Sequence, residues 1–363
     1  MGMRGGEKVL EALCQIYPEA DIYTHAFDPA AISDIIKSHK IHTTFISRLP
    51  RAAKMYKHYL PLMPMALEQL NLSEYDLVIS SESGPAKGII PAAHAIHVCY
   101  CHSPMRYIWN MYNSYYDSSG LLTRVMMPPL AHYLRNWDVA TANRVDRFAA
   151  NSTTVAQRVK SYYRRKADVI NPPVDTNAFM PVPQAELEDY YLMVGELVGY
   201  KRPELAVQAF NRMKLKLVVI GGGEMLNRLR KIAGPTVTIL GPQPFDSLRH
   251  HYARCKALIF PGEEDFGIVP VEAMASGRPV IAFGRGGATE TVVANETGVF
   301  FHNQTVEDII DAVERLAKLN LNPDDAVRRA GDFRAVEFKE KFSKFVKSSM
   351  ADKTGNDHAM NVD

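Results

Sequence analysis

In the stretch FPGEEDFGIVPVEAMASGRPVIAF (260–283) two carboxylates, Glu264 and Glu272, stand eight residues apart. Between them, Phe266-Gly267-Ile268-Val269-Pro270 offers almost no side-chain chemistry. The apolar run before them reads as a strand ending near Pro261. A helix is expected from near Ile268 to Gly277, with Pro279 as a stop signal. The N–H groups of its first turn, around Gly267 to Val269, would have no partner inside the helix and would carry the positive end of its dipole. Such a turn is a phosphate site made of backbone, and Gly267 lets a phosphate come close. A carboxylate beside a phosphate is not there for charge, but it can accept two hydrogen bonds from a vicinal diol. A sugar nucleotide presents both features, a diphosphate flanked by a hexose diol and a ribose diol. On spacing alone the pair fits equally well a solvated helix start, where the dipole favours acids. Nothing else in the chain suggests the acid and nucleophile of a glycosidase.

The elements that would position these residues alternate along the chain. Short β-rich runs at 20–27, 75–81, 95–102 and 146–152 occupy the first half, the last feeding a helix, TTVAQRVKSYY, with Ser152 as its N-cap. The Pro pair in ADVINPPVD (167–175) reads as a stiff crossing between domains. A second series follows, with strands at 190–197, 215–221, 236–241, 256–262 and 279–284 and helices near 203–213, 224–233, 246–255, 268–276 and 287–294. The expected fold is α/β, two doubly wound Rossmann-like domains facing across a cleft, with ligands outside the carboxyl ends of the strands. The expected domains are 1–174 and 175–335, followed by a C-terminal helix over 336–349 and a polar, disordered tail over 350–363.

Bulk properties narrow the class. The 363 residues are 47% apolar and 23% charged, with a net charge of +2, which suits a soluble two-domain protein and argues against a nucleic-acid partner. The four cysteines lack CxxC or zinc spacing, which points to a reducing compartment. Cys99-x-Cys101-His102 has no second ligand pair at zinc-site spacing. With no signal peptide and no run of 18 apolar residues, no membrane span is expected. Between Lys37 and Leu67 the chain carries six Lys or Arg and no acid, interleaved with Met55, Tyr56, Tyr59 and Leu60. That mixture fits either an anionic lipid surface or a solvated helix with an apolar core side.

The ensemble of motifs resembles the retaining GT-B glycosyltransferases of family 4. Glu264-x7-Glu272 matches that family's E-x7-E signature, and MRGGEKVLEAL, CHSPMRYIW, NSTTVAQRVK, VINPPVDTNAF, VGELVGYKRPELAVQAF, VIGGGEMLNRL and LGPQPFDSLRHHYARCKALIFPG follow in the family's order. The likeness is strongest to the GDP-mannose-using mannosyltransferases of bacterial exopolysaccharide and O-antigen assembly. It implies that Glu264 binds the donor hexose hydroxyls and Glu272 the ribose diol. It implies backbone donors at Gly267, Ile268 and Val269, and a cation for the diphosphate at Lys201, with Arg202 as helper. By the same resemblance Gly5 and Gly6 form a donor-facing loop of the first domain, His102 points at the transferred sugar, and residues 241–245 line the base pocket. Glu196 is a departure, since many members carry Arg there. The resemblance further implies a lipid-linked saccharide acceptor and a cytoplasmic enzyme, peripheral on the inner face of the plasma membrane. No D-x-D occurs, so a metal-free mechanism is expected, with the nucleotide sugar as donor substrate and no cofactor.

Other readings stay open. The donor could be a UDP- or dTDP-sugar, and the chain could be a non-catalytic nucleotide-binding scaffold. A dinucleotide-dependent oxidoreductase has less support, because Gly221-Gly222-Gly223 does not complete G-x-G-x-x-G, position 226 being Leu. Finally, MGMRGGEKVLEALCQIY opens on glycines with no apolar run before Gly5. A strand that would lead into this loop is therefore expected to be missing, leaving an open position in the first sheet beside 75–81 or 20–27.

Overall fold

The computed structural model describes residues 5–360. The chain divides into two compact units, one made of residues up to Pro173 together with those from Phe338 onward, the other of Val174–Glu337.

The first unit holds two parallel sheets. Strands β1 (Ile22–Thr24) and β2 (Ile41–Thr43) form a pair. Strands β3 (Leu77–Glu82), β4 (Ile96–Cys101), β5 (Arg147–Ala150) and β6 (Ala167–Val169) form the other sheet in sequence order. All six residues of β4 are buried, as expected of a parallel strand covered on both faces. Among the described residues the β1 edge facing away from β2 and the β3 edge facing away from β4 pair with no strand. Side chains link the two sheets instead: the Tyr23 and Tyr75 hydroxyls lie 3.0 Å apart, and Tyr75 donates to Asp21 at 2.7 Å.

The second unit is a six-stranded parallel sheet of β7 (Tyr191–Val194), β8 (Leu217–Ile220), β9 (Val237–Gly241), β10 (Leu258–Phe260), β11 (Val280–Phe283) and β12 (Gly298–Phe301), in the order β9-β8-β7-β10-β11-β12. The chain therefore reverses its direction of growth between β7 and β10, which pair through Leu192 and Leu258. That junction is the topological switch point, the place in a doubly wound sheet where loops part and a ligand can enter.

Helix starts follow local chemistry. Ser152 caps the Thr153–Tyr163 helix, its hydroxyl accepting from the Val155 N–H at 3.1 Å, as the sequence indicates. Thr305 caps Val306–Ala317, and Asp308 returns the bond by accepting from the Thr305 hydroxyl at 2.7 Å.

Three expectations are corrected. Gly5 and Gly6 do not form a loop but the first turn of a helix, Gly5–Ile16. Its face of Val9, Ala12 and Leu13 is buried against the core and holds that turn helical. The C-terminal helix is not confined to 336–349 but runs from Ala335 to Met360. Phe338, Phe342, Phe345 and Val346 make an apolar stripe that packs with Val9, Leu13 and Tyr100, so most of it belongs to the first unit. The tail expected to be disordered from 350 is helical as far as Met360; residues 361–363 lie outside the described residues. Its composition is polar, but it is tethered by side chains: Arg147 reaches Asp352 at 3.2 Å, and Lys353 donates to the Ala95 carbonyl.

Candidate functional site

The loops after β7 and β10 bring Lys201 and Glu264 together. The Lys201 ammonium lies 2.8 Å from Glu264 Oε1, and the side chains are only 15% and 20% exposed. Two features force the approach. A Cβ on Gly262 would stand 2.7 Å from Lys201 Cα, so only glycine lets the β10 loop pass that close. The Gly287 N–H then donates to the Glu264 carbonyl at 2.8 Å and fixes the loop from its far side.

The loop turns into the Ile268–Ala275 helix at Gly267, whose φ of 83° lies in the left-handed region that glycine adopts without strain. No side chain caps this helix, and Pro270 in its first turn has no N–H to offer. Its unpaired first-turn donors are therefore those of Ile268 and Val269, beside Gly267. These donors stand directly after the strand that also delivers Glu264.

Glu272 lies one turn further on. Its Oε2 accepts from the Tyr252 hydroxyl at 2.8 Å. Burial pushes its carboxyl up to about 7, and the Tyr252 hydrogen bond moderates the rise. Tyr252, which sequence reasoning missed, is fully buried and packs edge-on against Phe179. Arg202 sits at the head of the Pro203–Met213 helix in a left-handed conformation, with φ 53°. Its guanidinium turns to Glu204 at 3.5 Å. Glu196 is exposed at the mouth of the β7 loop. In the expected base-pocket segment 241–245, Gln243 receives a bond from Ser247 at 3.2 Å, and Phe245 is exposed with Arg249 over its ring.

In the first unit, His102 follows β4. Its N–H donates to the Glu82 carbonyl at 2.7 Å, and its Nε2 lies 2.9 Å from the Ser81 hydroxyl. A Cβ on Gly6 would stand 4.0 Å from the same Nε2, so the structure brings Gly6 and His102 together at one end of this sheet. Just behind them is a wholly buried ion cluster with no sequence signature. The Lys87 ammonium is held by Asp138 and, at 3.2 Å, by Glu82. Asp138 also accepts from Trp109 at 2.7 Å and from Tyr163 at 2.9 Å. Burial raises the Glu82 carboxyl, and the two carboxylates raise the Lys87 ammonium despite its burial.

Two Rossmann-like domains with parallel sheets, one of them carrying a cation, a carboxylate and an open helix N-terminus at its switch point, are of the GT-B class of fold. The chain resembles solved GT-B structures at low identity: Anabaena HepE in complex with UDP and glucose (TM-score 0.68, 15% identity, 95% of this chain and 96% of that one), and sucrose-phosphate synthase from Thermosynechococcus elongatus (TM-score 0.72, 19% identity, 95% and 92%). Residues 3–178 match the model for Glycosyltransferase Family 4, and residues 176–332 match that for Glycosyl transferases group 1. Together the two matches span residues 3–332. Among curated relatives, a GDP-mannose-dependent alpha-(1-6)-phosphatidylinositol monomannoside mannosyltransferase of Mycobacterium tuberculosis is 31% identical over 243 residues, 56% of this chain and 62% of the relative. A D-inositol 3-phosphate glycosyltransferase of Kribbella flavida is 30% identical over 204 residues, 47% and 48%. The chain thus spans about half to three fifths of the length of these relatives.

Proposed function

We propose that the chain is a retaining glycosyltransferase that moves mannose from GDP-mannose onto a lipid-linked saccharide in surface polysaccharide biosynthesis. The observation that carries the reading is the meeting of Lys201, Glu264 and the uncapped Ile268–Ala275 helix at the junction of β7 and β10. The donor assignment is supported by the likeness to a GDP-mannose-dependent relative.

The roles follow from the chemistry of each group. An entering diphosphate replaces the Glu264 carboxylate as partner of Lys201, and Glu264 is released to accept hydrogen bonds from hexose hydroxyls. The N–H groups of Gly267, Ile268 and Val269 take phosphate oxygens, while Glu272 takes the ribose diol. As the sugar C1–O bond breaks, negative charge grows on the departing phosphate. Lys201 and the helix N-terminus neutralise it in a site partly shielded from water, with no metal required. Arg202 helps if its guanidinium leaves Glu204. The acceptor hydroxyl attacks C1 from the face the phosphate leaves, and its proton passes to the departing phosphate oxygen. The configuration is thereby retained without a covalent enzyme intermediate. His102, steadied by Ser81, serves the transferred sugar.

The test is nucleotide release over a panel of GDP-, UDP- and dTDP-sugars, with and without a polyprenyl-diphosphate-linked saccharide. The reading expects acceptor-dependent release of GDP from GDP-mannose. Turnover of a UDP- or dTDP-sugar instead would overturn the donor, and no turnover with any of them would leave a nucleotide-binding scaffold.

A further inference from the structure

The Leu121–Thr141 helix is covered at one end and bare at the other. Ala131 and Leu134 pack with Met105 and Ile108 in a buried cluster. Leu121, Leu122, Val125 and Met126 are 81%, 78%, 66% and 59% exposed. Their spacing gathers them on one side of the first two turns. Single exposed apolar residues are ordinary, but a contiguous group of four large ones marks a surface with a partner.

The surroundings say what kind of partner. Tyr112 and Tyr116 stack just before the helix, and Arg124, inside the patch, lies over the Tyr116 ring and donates to the Tyr116 carbonyl at 3.1 Å. From Tyr112 to Arg135 the only acid is Asp117. The basic segment 37–67 packs on the same helix, since Leu60 belongs both to its small core of Ile46, Met63 and Ala66 and to the Met105–Leu134 cluster. In that segment Tyr56 and Tyr59 turn toward this core while Arg48, Arg51, Lys54 and Lys57 are exposed. The segment therefore supplies mainly charge, with Leu62 and Met65 as its exposed large apolar side chains, and the neighbouring helix start supplies most of the apolar surface. Apolar side chains to enter the acyl boundary, tyrosines for the interface and cations for anionic headgroups together make an interfacial lipid site. Among the described residues no helix is long and apolar enough to cross a membrane.

We infer that the start of the Leu121–Thr141 helix inserts into the surface layer of an anionic bilayer, with Arg124 and the Arg48–Lys57 cations at the headgroups. The inference deepens the reading of a lipid-linked acceptor, and its test needs neither donor nor acceptor, so the two can fail separately. The full chain is co-sedimented with phosphatidylcholine vesicles containing about a third phosphatidylglycerol. Wild type is expected to partition onto them, less so in high salt, and Leu122→Asp with Val125→Asp to reduce partition roughly tenfold or more with an unchanged melting temperature. Because all four native cysteines are buried, Leu122→Cys accepts an environment-sensitive dye selectively; its emission should shift to the blue on these vesicles. Equal partition of the aspartate variant, or an unshifted dye, would overturn the proposal. So would a wild-type dimer that the variant turns into a monomer while neither binds vesicles, which would make the patch a contact between copies.

Discussion

The Lys201 ammonium and the Glu264 carboxylate are each other's partner, 2.8 Å apart on the two loops that flank the switch point. In the proposed reading, the cation for the diphosphate is held in place beforehand by the carboxylate for the sugar. Removing either should do more than delete one contact, because the other is left as a shielded, unpaired charge. Glu264→Ala is expected mainly to lower kcat, and Lys201→Ala to raise the donor Kd as well. Each should cost about 1–3 kcal/mol in kcat/KM. The double variant should lose less than the sum, as contacting residues do. Additive losses in steady-state kinetics would show that the pair does not act as a unit.

If Glu272 takes the ribose diol as proposed, donor binding should depend on pH. With its carboxyl raised to about 7 in the free protein, donor affinity should fall about tenfold per pH unit below 7, as the neutral acid must lose a proton to accept two hydroxyls. Glu272→Gln should bind weakly and without this slope; a wild-type profile flat from pH 5 to 8 would contradict the role.

The same shift bears on stability. An acid whose folded value is raised favours the fold below its unfolded value, and the benefit is lost as pH rises through about 7. Glu272→Gln should therefore stabilise the ligand-free protein at pH 8, by up to roughly 3 kcal/mol, while weakening donor binding. Tyr252→Phe removes the hydroxyl that moderates the rise and should move the titration upward. Urea unfolding at pH 5 and pH 8 checks both.

Lys87→Met leaves Glu82 and Asp138 buried without their cation. The expected loss is about 3–5 kcal/mol of stability, read as a lower denaturation midpoint. Near-wild-type stability would contradict the view that Lys87 is what keeps the two buried carboxylates paired.

The loop after β10 was legible because its pattern lies in local order: strand, glycine, uncapped helix, and carboxylates at fixed spacing. Tyr252 was not, since in HHYARC it is one aromatic on an amphipathic helix and meets Glu272 only through packing. The helices at 306–317 and 323–331 and the strands β2, β6 and β12 also went unread. For the first of these helices the signal was present, with Thr305 and Asp308 as caps and Ile309, Val313 and Leu316 on one face. The Leu121–Thr141 helix was hidden by Pro128 and Pro129 in its interior and by an apolar start that faces water. For the basic segment the sequence left open a lipid-facing stretch or a solvated helix with an apolar core side; the structure puts Ile46, Met63 and Ala66 in a local core and leaves Leu62 and Met65 exposed.

Calorimetric titration of GDP-mannose into wild type and Lys201→Ala tests the central claim most directly, since it asks whether a sugar diphosphate sits where β7 and β10 part. The account predicts binding to wild type without added metal, unchanged by EDTA, and an affinity roughly ten- to a hundredfold weaker in the variant. Equal affinity in the two proteins, or wild-type binding that appears only with Mn²⁺ or Mg²⁺, would contradict it.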